Sequence, residues 1–190
     1  MDHQSKATIR QDMRLRRRAL TPEEQHTRAT QLADQGHKLP HLFAAERIGS
    51  YRAFGGEIDT LALEKQLSGE LFLPKITDFK TAQMQFFAYG SKTNVSDLGI
   101  TEPDDSLPPI DLTTLDAVLV PLVAFKRDGS RLGMGAGFYD RAFEFRREPA
   151  VKLPVLVGVA HDFQECKTLE PDHWDVPLDV IITNNEVIFP

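Results

Sequence analysis

Ala117-Val118-Leu119-Val120-Pro121-Leu122-Val123 is a near-continuous apolar run. It suits a strand buried on both faces, in a sheet covered by helices. Two later stretches, residues 154–160 (PVLVGVA) and 178–183 (LDVIIT), read the same way. Upstream, Ile48 to Tyr51, Leu71 to Leu73 and Met84 to Tyr89 read as further strands. Helical segments fall between them. Strands alternating with helices indicate an α/β sandwich with a largely parallel sheet. The chain has 190 residues, which suits one domain spanning 1–190.

The helices carry their own start and stop signals. Residues 5–18 lack Pro and Gly and place Ile9 and Met13 four apart. Thr21-Pro22-Glu23-Glu24 is a capping box, with Thr21 as N-cap, Pro22 at N1 and Glu24 at N3. The helix it opens is expected to reach Gln35 and to end on Gly36 in a left-handed conformation. Residues 37–41 are expected to be a loop. After a break at Gly55-Gly56, Asp59 or Thr60 is expected to cap a helix through Leu67, ended by Gly69. Residues 99–114, with Pro103, Pro108 and Pro109 among several acids, are expected to be a loop. A last helix is expected from Tyr139 to Arg147.

Composition narrows the function. Apolar residues make up 41% and charged residues 26%, as in globular proteins. A single cysteine, Cys166, rules out a disulfide framework or a Cys-rich zinc site and reads as a small buried residue. No run approaches the roughly 18 apolar residues of a membrane span. The N-terminus has no apolar signal segment, so a cytoplasmic protein is expected. The net charge of −6 argues against general affinity for nucleic acid. The charge is uneven, however: residues 1–52 hold ten Lys/Arg against six Asp/Glu. Most of the excess lies at Lys6, Arg10, Arg14, Arg16, Arg17 and Arg18, read mainly as a solvated face or packing on the acidic body.

The strongest chemical signal is Arg131-Leu132-Gly133-Met134-Gly135-Ala136-Gly137-Phe138-Tyr139-Asp140-Arg141. Three alternate glycines let the backbone turn tightly and approach a ligand closely. The segment follows a buried strand and precedes a helix, at the strand end where open α/β sheets bind ligands. Its N–H groups, with Arg131 and Arg141 beside them, suit phosphate. It is neither a dinucleotide fingerprint, which needs glycine at Phe138, nor a P-loop, which needs Gly-Lys-Ser/Thr. A glycine-rich surface turn without a ligand is the alternative. Asp140 reads either as a helix cap or as a Mg²⁺ ligand. Asp175 and Asp179 bracket the last strand, and His161-Asp162 reads as a satisfied surface pair.

Taken in order, these segments resemble the 5-formyltetrahydrofolate cyclo-ligase family, also called 5,10-methenyltetrahydrofolate synthetases. The resemblance starts at Lys6-x-x-x-Arg10 and the Thr21-Pro22-Glu23-Glu24 turn. It runs through Tyr51, Glu57-Ile58-Asp59-Thr60, Leu73-Pro74-Lys75, the segment 99–103 (GITEP) and Val120-Pro121-x-x-Ala124-Phe125. It closes with the glycine segment, Asp175-x-x-Leu178-Asp179 and Ile182-Thr183. The resemblance implies a three-layer α/β/α sandwich related to the sugar-phosphate isomerase and CoA-transferase group. It implies ATP-dependent cyclisation of 5-formyltetrahydrofolate to 5,10-methenyltetrahydrofolate, releasing ADP and phosphate, with Mg²⁺ required. ATP would activate the formamide oxygen as a phosphate, N10 would attack the same carbon, and phosphate would leave.

Carried over by position, Lys6, Arg10, Arg131, Gly133, Met134, Gly135, Ala136, Gly137, Phe138 and Tyr139 would bind ATP, with Lys6, Arg131 and Tyr139 catalytic. Tyr51, Arg52 and Glu57 would bind the folate, Glu57 accepting hydrogen bonds from pterin nitrogens. Asp140 and Asp175 would hold Mg²⁺. A monomer with a small-molecule substrate and no nucleic-acid or membrane partner is expected. Three positions depart from the family's usual residues: Ala136 for Lys or Gly, Phe138 for Tyr, and Lys126 for an acid. The alternatives are a sugar-phosphate isomerase of related fold and a non-catalytic folate- or RNA-binding relative.

Overall fold

The structure, a computed structural model, describes residues 5–90, 93–95, 101–103, 106 and 108–190. The helices are α1 (Lys6–Ala19), α2 (Pro22–Gly36), α3 (Pro40–Phe43), α4 (Leu61–Glu64) and α5 (Phe138–Ala142). The first strands are β1 (Arg47–Gly49), β2 (Glu70–Asp78), β3 (Gln83–Ala88), β4 (Thr93–Val95) and β5 (Thr101–Pro103). They are followed by β6 (Ala117–Pro121), β7 (Ala124–Phe125), β8 (Arg131–Leu132), β9 (Val155–Ala160), β10 (Val180–Thr183) and β11 (Val187–Ile188).

Seven strands form the main sheet in the order β11-β10-β9-β6-β1-β2-β3. The five from β10 to β2 run parallel, and β11 and β3 close the two edges antiparallel. Ala117 to Val120 are all buried, as the apolar run requires. Successive side chains of β6 point to opposite faces. Ala117 and Leu119 meet Leu32 and Ala33 of α2, Leu42 of α3 and Leu63 of α4. Val118 and Val120 meet Phe143, beyond α5, and Phe86 of β3. Each fully buried Leu or Phe here contributes roughly 1.5–3 kcal/mol of transfer free energy. The architecture is therefore α/β/α, with one helical layer of α2–α4 and a thinner one built on α5 and the 3₁₀ turn Glu144–Arg147. Ile9 and Met13 of α1 pack on Val123, Ala124 and Leu132 of the β7–β8 hairpin. That places α1 beside the carboxyl end of β6.

Several local expectations change. Thr21 and Glu24 form the capping box as read. Gly36, though, is the last residue of α2, and the cap after it, His37, has right-handed angles. Its role is close packing: a Cβ there would fall 2.4 Å from Leu63 Cδ1. Pro40 opens α3 inside the expected loop 37–41, because proline is well placed at a helix's first turn. The helix expected through Leu67 stops at Glu64. Within 99–114, β5 pairs antiparallel with β4, and Leu112–Thr114 forms a 3₁₀ turn. Gly99 and Ile100 of the family-like segment lie outside the described residues. The expected helix 139–147 divides into α5 and the 3₁₀ turn. The β7–β8 hairpin separates the glycine segment from β6.

Two polar expectations also change. Arg17 is not on a solvated face; it is 1% exposed, with Nη1 donating to the Leu122 carbonyl at 3.3 Å. His161 is wholly buried rather than a surface residue, its Nε2 3.1 Å from the Gly56 carbonyl.

Candidate active site

The chain runs from β1 to β2 on one side and later places β6 on the other side of β1. Such a reversal splays the loops at the strands' carboxyl ends and opens a crevice there. A cavity of about 620 Å³ occupies this crevice, between Tyr51 after β1 and Pro121-Leu122 at the end of β6. The β2–β3 hairpin forms an apolar wall with Pro74, Ile76, Phe79 and Met84. The glycine segment and α1 form the opposite, polar wall.

The polar wall is held by its own backbone and by α1. Gly135 has φ +116° and Gly137 φ +75°, which residues with a Cβ rarely adopt. Arg10 Nε donates to the Gly133 carbonyl at 2.9 Å, and Arg14 Nη2 to the Met134 carbonyl at 3.4 Å. Lys6, Arg10 and Arg14 are each four residues apart, so one face of α1 presents all three to the cavity. Lys6 Nζ lies 2.6 Å from Asp172 Oδ2 and 3.9 Å from Asp175 Oδ2.

Arg131 is nearly buried. Its Nη2 contacts Asp140 Oδ1 at 2.5 Å, and its Nη1 donates to the Val176 carbonyl. It therefore braces Asp140 as well as walling the cavity. Burial pulls its pKa down, opposed by the charges of Asp140 and Asp175. Asp140 Oδ1 also accepts the Val176 N–H at 3.0 Å. The Tyr139 hydroxyl is buried with no hydrogen-bond partner, while its ring packs against Phe86 and Phe143. Burial pushes this phenol's pKa up, and the Glu57 charge adds to the effect. A buried hydroxyl without a partner is costly, and Tyr139 is also one of the residues that line the cavity.

On the other side, Tyr51 donates its hydroxyl to the Ile58 carbonyl at 2.7 Å and meets the cavity with its ring. Glu57 Oε2 accepts the Phe54 N–H at 3.1 Å. Burial raises the Glu57 pKa, and Arg17 and the Phe54 N–H pull it back. Arg52 pairs with Glu64 at 2.8 Å and lies 4.4 Å over the Tyr89 ring. Glu64 is fixed in turn by Ser50 and Thr60.

This architecture has known counterparts. Residues 2–184 match the model of the 5-formyltetrahydrofolate cyclo-ligase family. The chain belongs to that family. It is 35% identical to the 5-formyltetrahydrofolate cyclo-ligase of Escherichia coli K12 over 185 residues, 92% of this chain and 98% of that one. The Haemophilus influenzae cyclo-ligase is 34% identical, covering 96% of this chain and all of its own. Among solved structures, the Aquifex aeolicus 5,10-methenyltetrahydrofolate synthetase superposes with a TM-score of 0.81 at 28% identity. It covers 97% of this chain and 92% of its own. The Mycoplasma pneumoniae synthetase, at TM-score 0.73 and 23% identity over 95% and 99% of the two chains, shares the fold.

Every ligand-binding or catalytic residue that the family resemblance implies lines this one cavity: Lys6 and Arg10, Tyr51, Arg52 and Glu57, Arg131, Gly133 through Asp140, and Asp175. Arg14, Asp172, Phe79 and Trp174 also line it and were not singled out. The four-residue spacing from Lys6 through Arg10 was the signal for Arg14. The other three depend on loop geometry. Among the described residues, no three His, Cys, Asp or Glu side chains converge into a protein-only metal cage. Two carboxylates on a wall shared with a glycine loop do suit Mg²⁺, which commonly takes one or two protein carboxylates and completes its shell from phosphates and water.

Proposed function

We propose that this protein converts 5-formyltetrahydrofolate to 5,10-methenyltetrahydrofolate at the expense of ATP. The observation that carries the reading is the single cavity uniting the α1 and glycine-loop wall with the Glu57 wall. The names of the full-length relatives support the same reaction and favour it over a sugar-phosphate isomerase or a non-catalytic relative. Lys6, Arg10 and the N–H groups of residues 133–139 bind the nucleotide phosphates, with Arg131 adding positive charge behind them. Asp140 and Asp175 hold Mg²⁺, which offsets phosphate charge when bound.

Glu57 takes hydrogen bonds from the pterin ring, and Tyr51 and Arg52 flank it. The apolar hairpin wall accepts the aromatic parts of the folate. The formyl oxygen is made a leaving group by phosphorylation, N10 closes on the same carbon, and phosphate departs. The chain's part is to align the reactants and donate hydrogen bonds where charge builds, with the Tyr139 hydroxyl as one donor. We assign it the working form of a cytoplasmic monomer without a nucleic-acid partner: all the proposed site residues come from one chain, and the net charge of −6 disfavours nucleic acid.

The test is to mix protein, 5-formyltetrahydrofolate and MgATP and to follow the near-ultraviolet band of the methenyl product. The band should grow with both substrates and stay absent when ATP is omitted. A folded protein that yields no band with both would overturn the reading.

A further inference from the structure

One ion pair connects the two walls of the cavity. Arg17, on the last turn of α1, lies 3.7 Å from Glu57, and the two side chains are 1% and 12% exposed. Its other polar contact is with the Leu122 carbonyl, and its Nε is buried without a partner. A buried guanidinium left partly unsatisfied is costly, so its retention calls for a role beyond stability.

The backbone around the pair is arranged to allow it. Gly56 has φ +79°, and a Cβ there would fall 2.8 Å from the Arg17 carbonyl oxygen. Gln25 Nε2 reaches both the Arg17 carbonyl at 3.5 Å and the Gly56 carbonyl at 3.3 Å. The loop that carries Glu57 is thus clamped to the end of α1. The same helix, 14 residues and about 21 Å long, holds the glycine segment through Arg10.

We infer that Arg17 is a positioning residue for folate binding: it holds Glu57 ionised and aimed into the cavity. This rests on the proposed cyclo-ligase reaction and names a part of it that the family resemblance did not assign. Glu57 also faces the phenols of Tyr51 and Tyr139, neither of which can neutralise it. Burial raises the Glu57 pKa and the Arg17 charge lowers it. Without Arg17 the carboxyl protonates at a higher pH, loses the charge that strengthens its hydrogen bonds and turns one oxygen from acceptor to donor. Folate affinity then becomes pH-dependent, recovering as pH rises and Glu57 ionises.

The experiment compares wild type, Arg17→Met, Arg17→Lys, Arg17→Met/Glu57→Gln and the exposed control Arg18→Ala. Steady-state kinetics are run between pH 6 and 9. At pH 7, Arg17→Met should raise the KM for 5-formyltetrahydrofolate about tenfold or more and leave the KM for ATP within about twofold. The increase should shrink as pH rises, and Arg17→Lys should restore most of the wild-type profile. The double variant, in which neither charge is left buried alone, should bind weakly at every pH. If Arg17→Met does not fold, the comparison of Arg17→Lys with the double variant decides. A KM for folate that is unchanged, or raised equally at all pH values in Arg17→Met, overturns the inference. So does a pH-dependent KM in the double variant. Failure of wild type to make the methenyl product would instead overturn the reaction itself.

Discussion

Arg131 Nη2 and the Val176 N–H share one oxygen of Asp140, at 2.5 and 3.0 Å. Asp140 is the third residue of α5, whose N-cap is Gly137, so it does not cap the helix with its side chain. Its position is set by the buried arginine and by the Val176 N–H in the loop before Leu178. An aspartate so braced is fixed before a ligand arrives, which is compatible with the metal-binding role proposed for it.

Asp140→Asn separates the structural and chemical roles. Asparagine keeps an oxygen for Val176 and Arg131 but loses the charge. The near-buried Arg131 then lacks a counter-ion, and a stability loss of about 1–3 kcal/mol is expected. Turnover with MgATP should fall by about two decades or more while circular dichroism stays native. Near-normal turnover in the folded variant would remove Asp140 from the metal site.

The basic face of α1 divides into residues that serve the cavity and residues that do not. Lys6 and Arg10 line it, whereas Arg16 lies 4.7 Å over the Phe163 ring, away from the glycine segment. Lys6→Ala or Arg10→Ala should weaken ATP binding by one to two decades, the cost of about 1.5–3 kcal/mol for a charge-assisted contact. Folate binding should change less, and Arg16→Ala should do little to either. Isothermal titration with a non-hydrolysable ATP analogue measures all three. Equal losses at Arg10 and Arg16 would point to a diffuse basic patch and bring back an RNA-binding function.

The parts legible in the sequence were those set by local rules. The buried strands follow from continuous apolar runs, and the start of α2 follows from its capping box. The cavity residues on the glycine segment follow from spacing and family resemblance. What escaped depended on tertiary neighbours. Arg17 looks like Arg16 and Arg18 in the sequence, and only the approach of Glu57 and Leu122 buries it. Gly36 resembles a helix stop until Leu63 is seen against it. His161 follows a buried strand like many surface residues, but the Gly56 carbonyl lies over its ring nitrogen. The β7–β8 hairpin has only two residues in each strand, too few for a periodic signal.

Tyr139→Phe tests whether the unpartnered hydroxyl belongs to a ligand. Its ring contacts would survive the change, and no protein hydrogen bond would be lost. Stability should therefore stay level or rise slightly, because an unsatisfied buried hydroxyl is removed. Turnover should fall about tenfold to a hundredfold if the hydroxyl donates to the reacting groups. A thermal melt and a rate assay on the same sample check both parts. Unchanged turnover would make the hydroxyl a bystander.

The family resemblance leads one to expect tyrosine at the position of Phe138. Its ring meets Phe79 of the hairpin edge-on, with centroids 5.5 Å apart. This contact joins the polar and apolar walls at the cavity and needs the ring but no hydroxyl. Phe138→Tyr should alter kcat/KM by less than about threefold, while Phe138→Ala should cost a decade or more through lost packing. A large gain for Phe138→Tyr would show that a hydroxyl at this position contributes to turnover.

His161 should give the protein a measurable acid sensitivity. Burial lowers its pKa to about 4, opposed by the Gly56 carbonyl; Arg28 and Arg17 add to the lowering and Asp162 opposes it. Its Nε2 faces the Gly56 carbonyl, while Nδ1 is buried without a partner. The neutral tautomer with hydrogen on Nε2 satisfies this site, whereas a protonated ring would bury an unpaired Nδ1–H. The unfolded chain, with a histidine pKa near 6.5, therefore binds more protons than the native state between about pH 6.5 and 4. Stability is complete above that window and falls as pH drops through it, by at most about 3 kcal/mol. Carboxylates held low by hydrogen bonds and ion pairs, such as Asp128 near 2, act at lower pH. Urea unfolding of wild type and His161→Gln at pH 7.5 and pH 5 isolates the effect. Wild type should lose more stability between the two pH values than His161→Gln does. Equal losses would assign the acid sensitivity to another group.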